Sequence, residues 1–219
     1  MNLNRWMSLY RKIEDDFEFS RVREIRARNL LSSMLGDDIV KIDELKRAVG
    51  KEVYVIGNSP QLERDIENMK ETYPIIAADD SVEILMNYGI KPKIVLTDLD
   101  GNLEAILDSG AIVGVHAHGD NTSKLKYSTM FDKKFGTTQI EPLWNIYNFG
   151  GFTDGDRCVF LAVHFGAIVH LIGFDFSKPR YKYGKSMERK SKKLKWAKFL
   201  IDELRKEGAV IIDESLNSE

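Results

Sequence analysis

The chain has 219 residues, which is enough for one well-packed α/β core but short for two full domains. Hydrophobic residues make up 43% of the sequence and charged residues 30%, as in water-soluble globular proteins. The 32 basic and 34 acidic side chains give a net charge of -2, so the overall charge provides no reason to expect binding to nucleic acid.

Cysteine usage and hydropathy predict a cytoplasmic protein. Cys158 is the only cysteine, which excludes an intramolecular disulfide and a cysteine-based zinc site. No segment approaches the roughly 18 uninterrupted apolar residues of a membrane span, and the N-terminus is charged rather than signal-like. We therefore expect no membrane contact, while homo-oligomerisation stays open.

The first 50 residues are predicted to form a helical appendage. Apolar residues recur at helical spacing up to Phe17, which indicates a first helix. Ser20 is placed to cap a second helix, and Ile42 to Val49 form a third. We therefore divide the chain into an appendage over residues 1–50 and an α/β catalytic domain over residues 51–219.

From Glu52 onward apolar strands alternate with amphipathic helices, a pattern typical of a Rossmann-like α/β fold. The predicted strands are Val53–Ile56, Ile75–Ala78, Ile94–Leu96, Ile112–Val115, Ile168–Ile172 and Val210–Ile212. The predicted helices are Gln61–Tyr73, Val82–Tyr88, Leu103–Asp108, Ser123–Phe131, Asp156–Phe165 and Glu188–Glu207. Residues 132–152 have the least regular pattern, although Asn145 to Phe149 could add a strand. We expect a mainly parallel sheet with flanking helices.

A GNSP turn at residues 57–60 follows the first predicted strand and opens a helix. Backbone N–H groups at such a helix N-terminus can receive an anion, so the turn could bind phosphate or a nucleotide. It lacks the glycine spacing and the lysine of a Walker motif, and an ordinary strand-to-helix turn explains it equally well. Asp79 and Asp80 end the next strand and are most simply explained as helix caps.

A TDLDG turn at residues 97–101 follows the third predicted strand. Asp98 and Asp100 would share one face if the strand geometry continued, and both could then reach one Mg2+. Open α/β sheets bind their ligands beyond the carboxyl ends of their strands, which favours a metal site over two solvated acids.

The VHAHGDN segment at residues 115–121 places His116, His118 and Asp120 on alternate positions, and so on one face of an extended strand. That arrangement would permit a zinc or iron site. Hydrogen-bonded or packed histidines are the alternative, and the neighbouring acids favour a hard cation over a transition metal.

The NFGGFTDGDR segment at residues 148–157 leads into an apolar helix. Its glycines let the backbone approach a ligand closely, and Asp154 and Asp156 suit the positive end of that helix. Arg157 adds a cation suited to phosphate, or pairs with one of the two aspartates.

Residues 178–198 contain ten basic residues and one acid, Glu188. The beginning of this basic segment has the pattern of a loop that could cover a polyphosphate, and its later part has the pattern of a helix. Its lysines could equally form a solvated helix face. Nucleic-acid binding is the weaker alternative, because only Tyr181, Tyr183 and Trp196 interleave as stacking groups.

Taken in order, GNSP, AADDS, PKIVLTDLDG, VHAHGDN, NFGGFTDGDR and LIGFDF resemble the archaeal-type 6-hydroxymethyl-7,8-dihydropterin pyrophosphokinase family, itself similar to the catalytic domain of thiamin pyrophosphokinases. The resemblance spans about Val53 to Phe176, and Asn58 stands where the family commonly has a small residue. It implies Mg2+-dependent transfer of a diphosphate from ATP to the hydroxymethyl oxygen of a reduced pterin, releasing AMP, in biosynthesis of a folate-type or methanopterin-type cofactor.

The resemblance also implies roles for the residues of the turns. Asp98 and Asp100 would hold Mg2+ on the ATP phosphates, with Asp120 as a third ligand or a water holder. Arg157 or a lysine of the basic loop would offset charge in the transition state. The nucleotide side would comprise Gly57, Asn58, Ser59, Asp79 and Asp80. The pterin side would comprise His116, His118, Asn121, Thr153, Asp154 and Asp156, with Phe149 or Phe152 against the ring.

Three other functions stay open from the residues alone. The pattern Asp98-Leu99-Asp100 also matches the short DxD motif with which nucleotide-sugar glycosyltransferases hold a diphosphate metal. A metallohydrolase could be built on His116 and His118. The basic segment could serve a non-catalytic RNA-binding module.

Overall fold

The computed structural model describes residues 1–70, 72–181, 183–184 and 186–215. Lys182 and Lys185 of the basic segment, and Glu71 of the first predicted crossover helix, lie outside the described residues. Among the residues that are described, no helix is both long and apolar enough to cross a bilayer.

Three helices precede the sheet, as the sequence predicted: α1 (Leu3–Phe17), α2 (Arg21–Leu35) and α3 (Ile42–Val49). The side chain of Asn2 caps α1 by accepting a hydrogen bond from Arg5 N at 2.9 Å. Ser20 occupies the N-cap position of α2, but its side chain makes no capping hydrogen bond. The position of the predicted cap is therefore right, while the capping role of the Ser20 side chain is wrong.

Eight parallel strands form one sheet within the described part of the chain, which confirms the predicted Rossmann-like class. Their order across the sheet is β6-β5-β4-β3-β2-β1-β7-β8. The strands are β1 (Glu52–Ile56), β2 (Ile75–Ala78), β3 (Ile94–Thr97), β4 (Ile112–Ala117), β5 (Lys134–Thr138), β6 (Ile146–Tyr147), β7 (Ile168–Ile172) and β8 (Ile211–Asp213). Val55 of β1 lies in register with Ile76 on one side and Leu171 on the other.

The helices that connect the strands agree with the predictions in number and order, with one exception. They are α4 (Leu62–Glu67), α5 (Val82–Asn87), α6 (Leu103–Ser109), α7 (Asp154–His164) and α8 (Met187–Lys206). The exception is the predicted helix Ser123–Phe131, where the structure has a 3-10 helix over Leu125–Met130.

Strand β5 lies in the region that the sequence analysis left irregular. Its sequence Lys-Phe-Gly-Thr-Thr has no apolar alternation, yet all five residues are buried. At Gly136 a Cβ would lie 2.3 Å from a side-chain atom of Ile146 and 3.0 Å from one of Leu35, so close packing requires glycine here. This burial comes from the neighbouring elements, which is why hydrophobic periodicity did not reveal the strand.

The N-terminal helices pack on both faces of the sheet. Trp6 and Tyr10 of α1 share a core with Val55 of β1 and with α7 and α8. Leu31 of α2 belongs to the core on the opposite face, together with Tyr54 of the same strand. Residues 1–50 therefore bury apolar surface against the sheet from two sides.

The order of the strands places a topological switch at β1. The chain adds β2 to β6 on one side of β1, and α7 then returns it so that β7 pairs with the other side. In open parallel sheets such a switch opens a crevice beyond the carboxyl ends of the two strands, which is where ligands bind.

Candidate active site

A cavity of about 420 Å³ lies along the carboxyl edge of the sheet. Loops after β1, β3, β4 and β7, the N-terminus of α7 and one face of α8 form its walls. The predicted site residues that line it are Gly57, Asn58, Ser59, Asp80, Asp98, Asp100, His116, His118, Asp120, Asn121, Thr153, Asp154 and Arg157. The remaining two, Asp79 and Asp156, are buried at 3% and 0% exposure behind this surface.

Asp79 is buried against the turn that follows β3. Its Oδ2 accepts hydrogen bonds from the Thr97 hydroxyl and from Gly101 N, the latter at 3.3 Å. A Cβ at Gly101 would lie 1.8 Å from Asp79 Oδ1, so only glycine permits this approach. Leu99 has a φ of 66°, so the turn departs from strand geometry between the two aspartates of the TDLDG segment.

Asp79, Asp98 and Asp154 form a carboxylate cluster in which one oxygen of each lies within 4.8 Å of the others. Asp79 Oδ1 and Asp98 Oδ1 are buried without a hydrogen-bond partner. Buried oxygens of this kind are costly unless a donor or cation satisfies them, and a set made only of carboxylates suits a hard cation such as Mg2+. Asp100 flanks this carboxylate cluster through an interaction with Asp98.

The three carboxyl groups of the cluster differ in pKa. Burial raises the pKa of Asp79 to about 7, although the Thr97 hydroxyl opposes the rise. Burial and the charge of Asp98 also raise the pKa of Asp154 well above its ordinary value. At Asp98 burial alone would raise the pKa, but the interactions with His118, Asp100 and Arg157 together outweigh burial and hold the pKa below its ordinary value. The negative charges of neighbouring aspartates add to the raised pKa of Asp79 and Asp154, and a bound cation would relieve this repulsion.

The start of α7 presents Asp154 to the cavity. A capping box joins Thr153 and Asp156, because the Asp156 carboxylate accepts hydrogen bonds from Thr153 N and Phe152 N, each at 2.7 Å. Arg157 donates to Asp154 Oδ1 at 2.6 Å and to Phe152 O at 3.0 Å. Thr153 and Asp156 therefore shape the helix start, and the buried Arg157 holds Asp154.

The two histidines at the end of β4 have different surroundings. His116 is 1% exposed, its Nδ1 lies 3.0 Å from Thr137 Oγ1, and its Nε2 is buried without a hydrogen bond. Burial, and secondarily the charge of Arg157, lower the pKa of His116 well below its ordinary value, so the ring is neutral. His118 accepts from Asp120 N through Nδ1 at 3.2 Å and places Nε2 3.5 Å from Asp98 Oδ2.

Asn121 connects the His118 turn to the carboxylate cluster. Its Nδ2 donates to Asp98 O at 2.9 Å and to His116 O at 2.7 Å, while its Oδ1 accepts from His118 N at 3.1 Å. This side chain, predicted to contact the pterin, therefore fixes the backbone of the site. Asp120, predicted as a third metal ligand, is 55% exposed and pairs with Arg23 at 3.1 Å.

The loops after β1 and β7 meet at the switch point. Ser59 N donates to Gly173 O at 2.8 Å, and a Cβ at Gly57 would lie 2.6 Å from the same carbonyl oxygen. Asn58 Oδ1 is buried without a hydrogen-bond partner. Arg180 of the basic segment donates to Ser59 O at 2.8 Å and 3.0 Å, which draws that segment onto this loop.

Cations and aromatic rings form another part of the cavity wall. Lys193 Nζ lies 5.6 Å from the centre of the Phe152 ring, and the Arg189 guanidinium lies 5.6 Å from the centre of the Phe19 ring. The Phe19 and Phe152 rings are 6.1 Å apart. Phe149, the other ring considered from the sequence, packs instead between Tyr147 and Phe165.

Several contributors were missed or grouped differently by the sequence reasoning. Asp79 and Asp154 had been assigned to the nucleotide and pterin sides, and their closeness arises only because β2, β3 and α7 converge. Arg189, Lys193 and Ala197 line the cavity at helical spacing, a signal that could have been read from the sequence. Phe19 lies between two helices and carried no such signal.

Comparisons with known proteins agree with the resemblance of the motifs. Residues 29–180 match the family described as 6-hydroxymethylpterin diphosphokinase MptE-like. The chain is 40% identical to the 6-hydroxymethyl-7,8-dihydropterin pyrophosphokinase of Pyrococcus furiosus, with 99% of this chain and 100% of the relative aligned. It is 37% identical to the protein of that name from Methanocaldococcus jannaschii, over 94% and 96% of the two chains.

A solved structure extends the comparison at the level of the fold. The chain resembles the MAf glycosyltransferase from Magnetospirillum magneticum AMB-1 with a TM-score of 0.50 and 13% sequence identity. The match covers 79% of this chain but 37% of the glycosyltransferase chain. At this identity the likeness concerns the α/β fold alone.

Proposed function

Because the chain belongs to the MptE-like 6-hydroxymethylpterin diphosphokinase family, we propose that it transfers diphosphate from ATP to 6-hydroxymethyl-7,8-dihydropterin. The hydroxymethyl oxygen forms a bond to the β-phosphorus of ATP and loses its proton. The bond between the β-phosphorus and the oxygen that bridges it to the α-phosphorus breaks, and AMP leaves with that oxygen. The observation that carries the proposal is the carboxylate cluster in the same cavity as the cationic side chains of α8.

The residues present fit the divalent cation that this reaction requires. Asp79, Asp98 and Asp154 would hold Mg2+, since they bring three carboxylates together and two of their oxygens are buried without partners. When bound, the cation supplies positive charge that offsets the charge of the phosphate oxygens. His118 supports the cluster by holding Asp98 from the side of β4.

Cationic side chains of α8 are suited to the phosphate groups. Lys193 lines the cavity and interacts electrostatically with Asp154 and Asp98, while burial lowers its pKa. Arg189 lines the same wall. Arg157 is buried and donates to Asp154, so we revise its role from direct phosphate contact to holding that aspartate. Fixed cations at the phosphates stabilise charge that moves in the transition state.

We assign the pterin and the nucleotide to different parts of the cavity. Phe19 and Phe152 offer an apolar face for a flat ring, and the neutral His116, whose Nε2 is buried without a hydrogen bond, lines the same cavity and could meet a polar edge of the heterocycle. The Gly57 to Ser59 loop receives the nucleotide at the switch point of the sheet. Asn121, Thr153 and Asp156 then act through the backbone that they hold.

The test is product analysis with ATP, Mg2+ and 6-hydroxymethyl-7,8-dihydropterin. We expect AMP and the pterin diphosphate, and at least a hundredfold lower kcat for Asp98→Asn. Asp108→Asn, an exposed aspartate on α6, is the matched control and should turn over like the unaltered protein. Formation of ADP and a pterin monophosphate would show that the assigned reaction is wrong.

No observation on the described residues favours the other functions considered from the sequence. The likeness to a glycosyltransferase is one of fold alone. A metallohydrolase would need His116 and His118 as metal ligands, but His118 Nδ1 accepts from Asp120 N and His116 Nδ1 contacts Thr137. A nucleotide sugar that raised the Tm more than ATP with Mg2+ would favour the glycosyltransferase instead.

A further inference from the structure

Glu24 of α2 is a buried acid that the reaction described above does not use. It is 2% exposed, and both carboxylate oxygens have protein donors. Oε1 accepts from Gly119 N at 2.9 Å, and Oε2 accepts from Gln139 Nε2 at 3.0 Å. A buried carboxylate is costly unless such bonds compensate it, so its presence at this place requires a reason.

The turn that Glu24 holds, residues 118–121, rests directly on α2. A Cβ at Gly119 would lie 2.8 Å from Arg23 Cβ and 3.2 Å from Glu24 Oε1, so this contact admits only glycine. The neighbouring Arg23 pairs with Asp120 at 3.1 Å. Two successive residues of α2 therefore hold two successive residues of the turn.

The same turn determines how His118 and Asp98 face each other. Asp120 N donates to His118 Nδ1, which leaves the ring proton on Nε2, the atom that lies 3.5 Å from Asp98 Oδ2. Asn121 ties the turn to the backbone oxygen of Asp98. A shift of Gly119 would therefore move both the ring and the backbone that orient Asp98.

We infer that Glu24 is a positioning residue for diphosphate transfer, acting through the turn at residues 118–121 on His118 and Asp98. The expected loss of kcat rests on the proposed function. The expected change at His118 does not, because it can be measured on the protein without substrates. If Glu24 has this role, then α2, which precedes the predicted catalytic domain, helps to position residues of the active site.

The test uses Glu24→Gln, which preserves size but removes the negative charge of the carboxylate that accepts the hydrogen bonds from Gly119 N and Gln139 Nε2. We expect kcat to fall about tenfold or more, with the KM values for ATP and pterin changed less than about threefold, because orientation and not substrate contact is lost. The double variant Glu24→Gln with Gln139→Glu restores a donor to each acceptor and should recover most of kcat. Glu14→Gln, which alters the ion pair between Glu14 of α1 and Arg21 of α2, is the matched control.

A second measurement separates this inference from the proposed reaction. Imidazole 15N shifts of His118, assigned with His118→Gln, report which ring nitrogen carries the proton and should change in Glu24→Gln but not in Glu14→Gln. Should Glu24→Gln fail to fold, Gly119→Ala displaces the same turn and should give the same loss and the same shift. Unaltered kcat and His118 shifts in the variant would overturn the inference, whatever products the enzyme makes.

Discussion

At the scale of single residues, the site depends on carboxylates that are distant in the sequence. Asp79 follows β2, Asp98 follows β3 and Asp154 opens α7, and one oxygen of each lies within 4.8 Å of the others only in the folded chain. Spacing within one turn pointed to Asp98 with Asp100, and the structure keeps these two in contact. Spacing could not reveal the other members, because no local pattern connects residues 79 and 154.

The choice of the third metal ligand yields a prediction that separates the sequence reasoning from the structure. Asp154→Asn should lower kcat about a hundredfold and raise the Mg2+ concentration for half-maximal rate, because a member of the carboxylate cluster is lost. Asp120→Asn should change both values less than about threefold, since Asp120 is half exposed and pairs with Arg23. Steady-state kinetics with Mg2+ titration measures this, and a larger effect of Asp120→Asn would restore the original ligand set.

At the scale of elements, α8 shows how one helix combines a core face and a face that lines the cavity. Leu200, Ile201 and Leu204 are buried in the core, while Arg189, Lys193 and Ala197 line the cavity. The basic segment was correctly predicted to end in a helix, and its charge pattern left a solvated face and a phosphate-binding face equally plausible. The packing of α8 against α7 turns Lys193 toward Asp154.

The two kinds of lysine on α8 can be compared directly. Lys193→Met should reduce kcat/KM for ATP by about tenfold to a thousandfold, because a cation in the cavity is lost while the apolar stem is retained. Lys198→Met removes a lysine that is 58% exposed and pairs with Asp202. Rates of AMP formation should be unchanged in that control, and equal losses in both variants would assign the effect to overall charge.

At the scale of the whole molecule, the N-terminal helices are integrated with the sheet. Trp6 is 2% exposed, stacks on Tyr10 at 5.7 Å and donates from Nε1 to Gln139 O at 3.0 Å. On the opposite face α2 contributes Leu31 to the core and Glu24 to the turn at residues 118–121. The helices before residue 50 thus share both core packing and hydrogen bonds with the sheet domain that follows, and residue 50 marks only a change in secondary structure.

This integration predicts the response to removal of a tryptophan. Trp6→Ala should lower the free energy of unfolding by about 3–5 kcal/mol, because it leaves a cavity between α1 and the sheet and an unpaired carbonyl at Gln139. Trp144→Ala, at a side chain that is 65% exposed, should change it by less than about 1 kcal/mol. Urea unfolding measures both, and similar values for the two would mean that α1 is not part of the cooperative core.

The sequence by itself determined the fold class, the order of the helices, seven of the eight described strands and the turns that line the cavity; β6 lies within the further strand expected over Asn145 to Phe149. These properties follow from local periodicity and from the rule that parallel strands end at one edge of a sheet. It did not reveal β5, whose burial is imposed by its neighbours. Only the tertiary structure decided which acids cluster, that Arg157 is committed to Asp154, and that α2 holds the His118 turn. Those facts depend on contacts between residues far apart in the chain, and such contacts leave no local pattern in a single sequence.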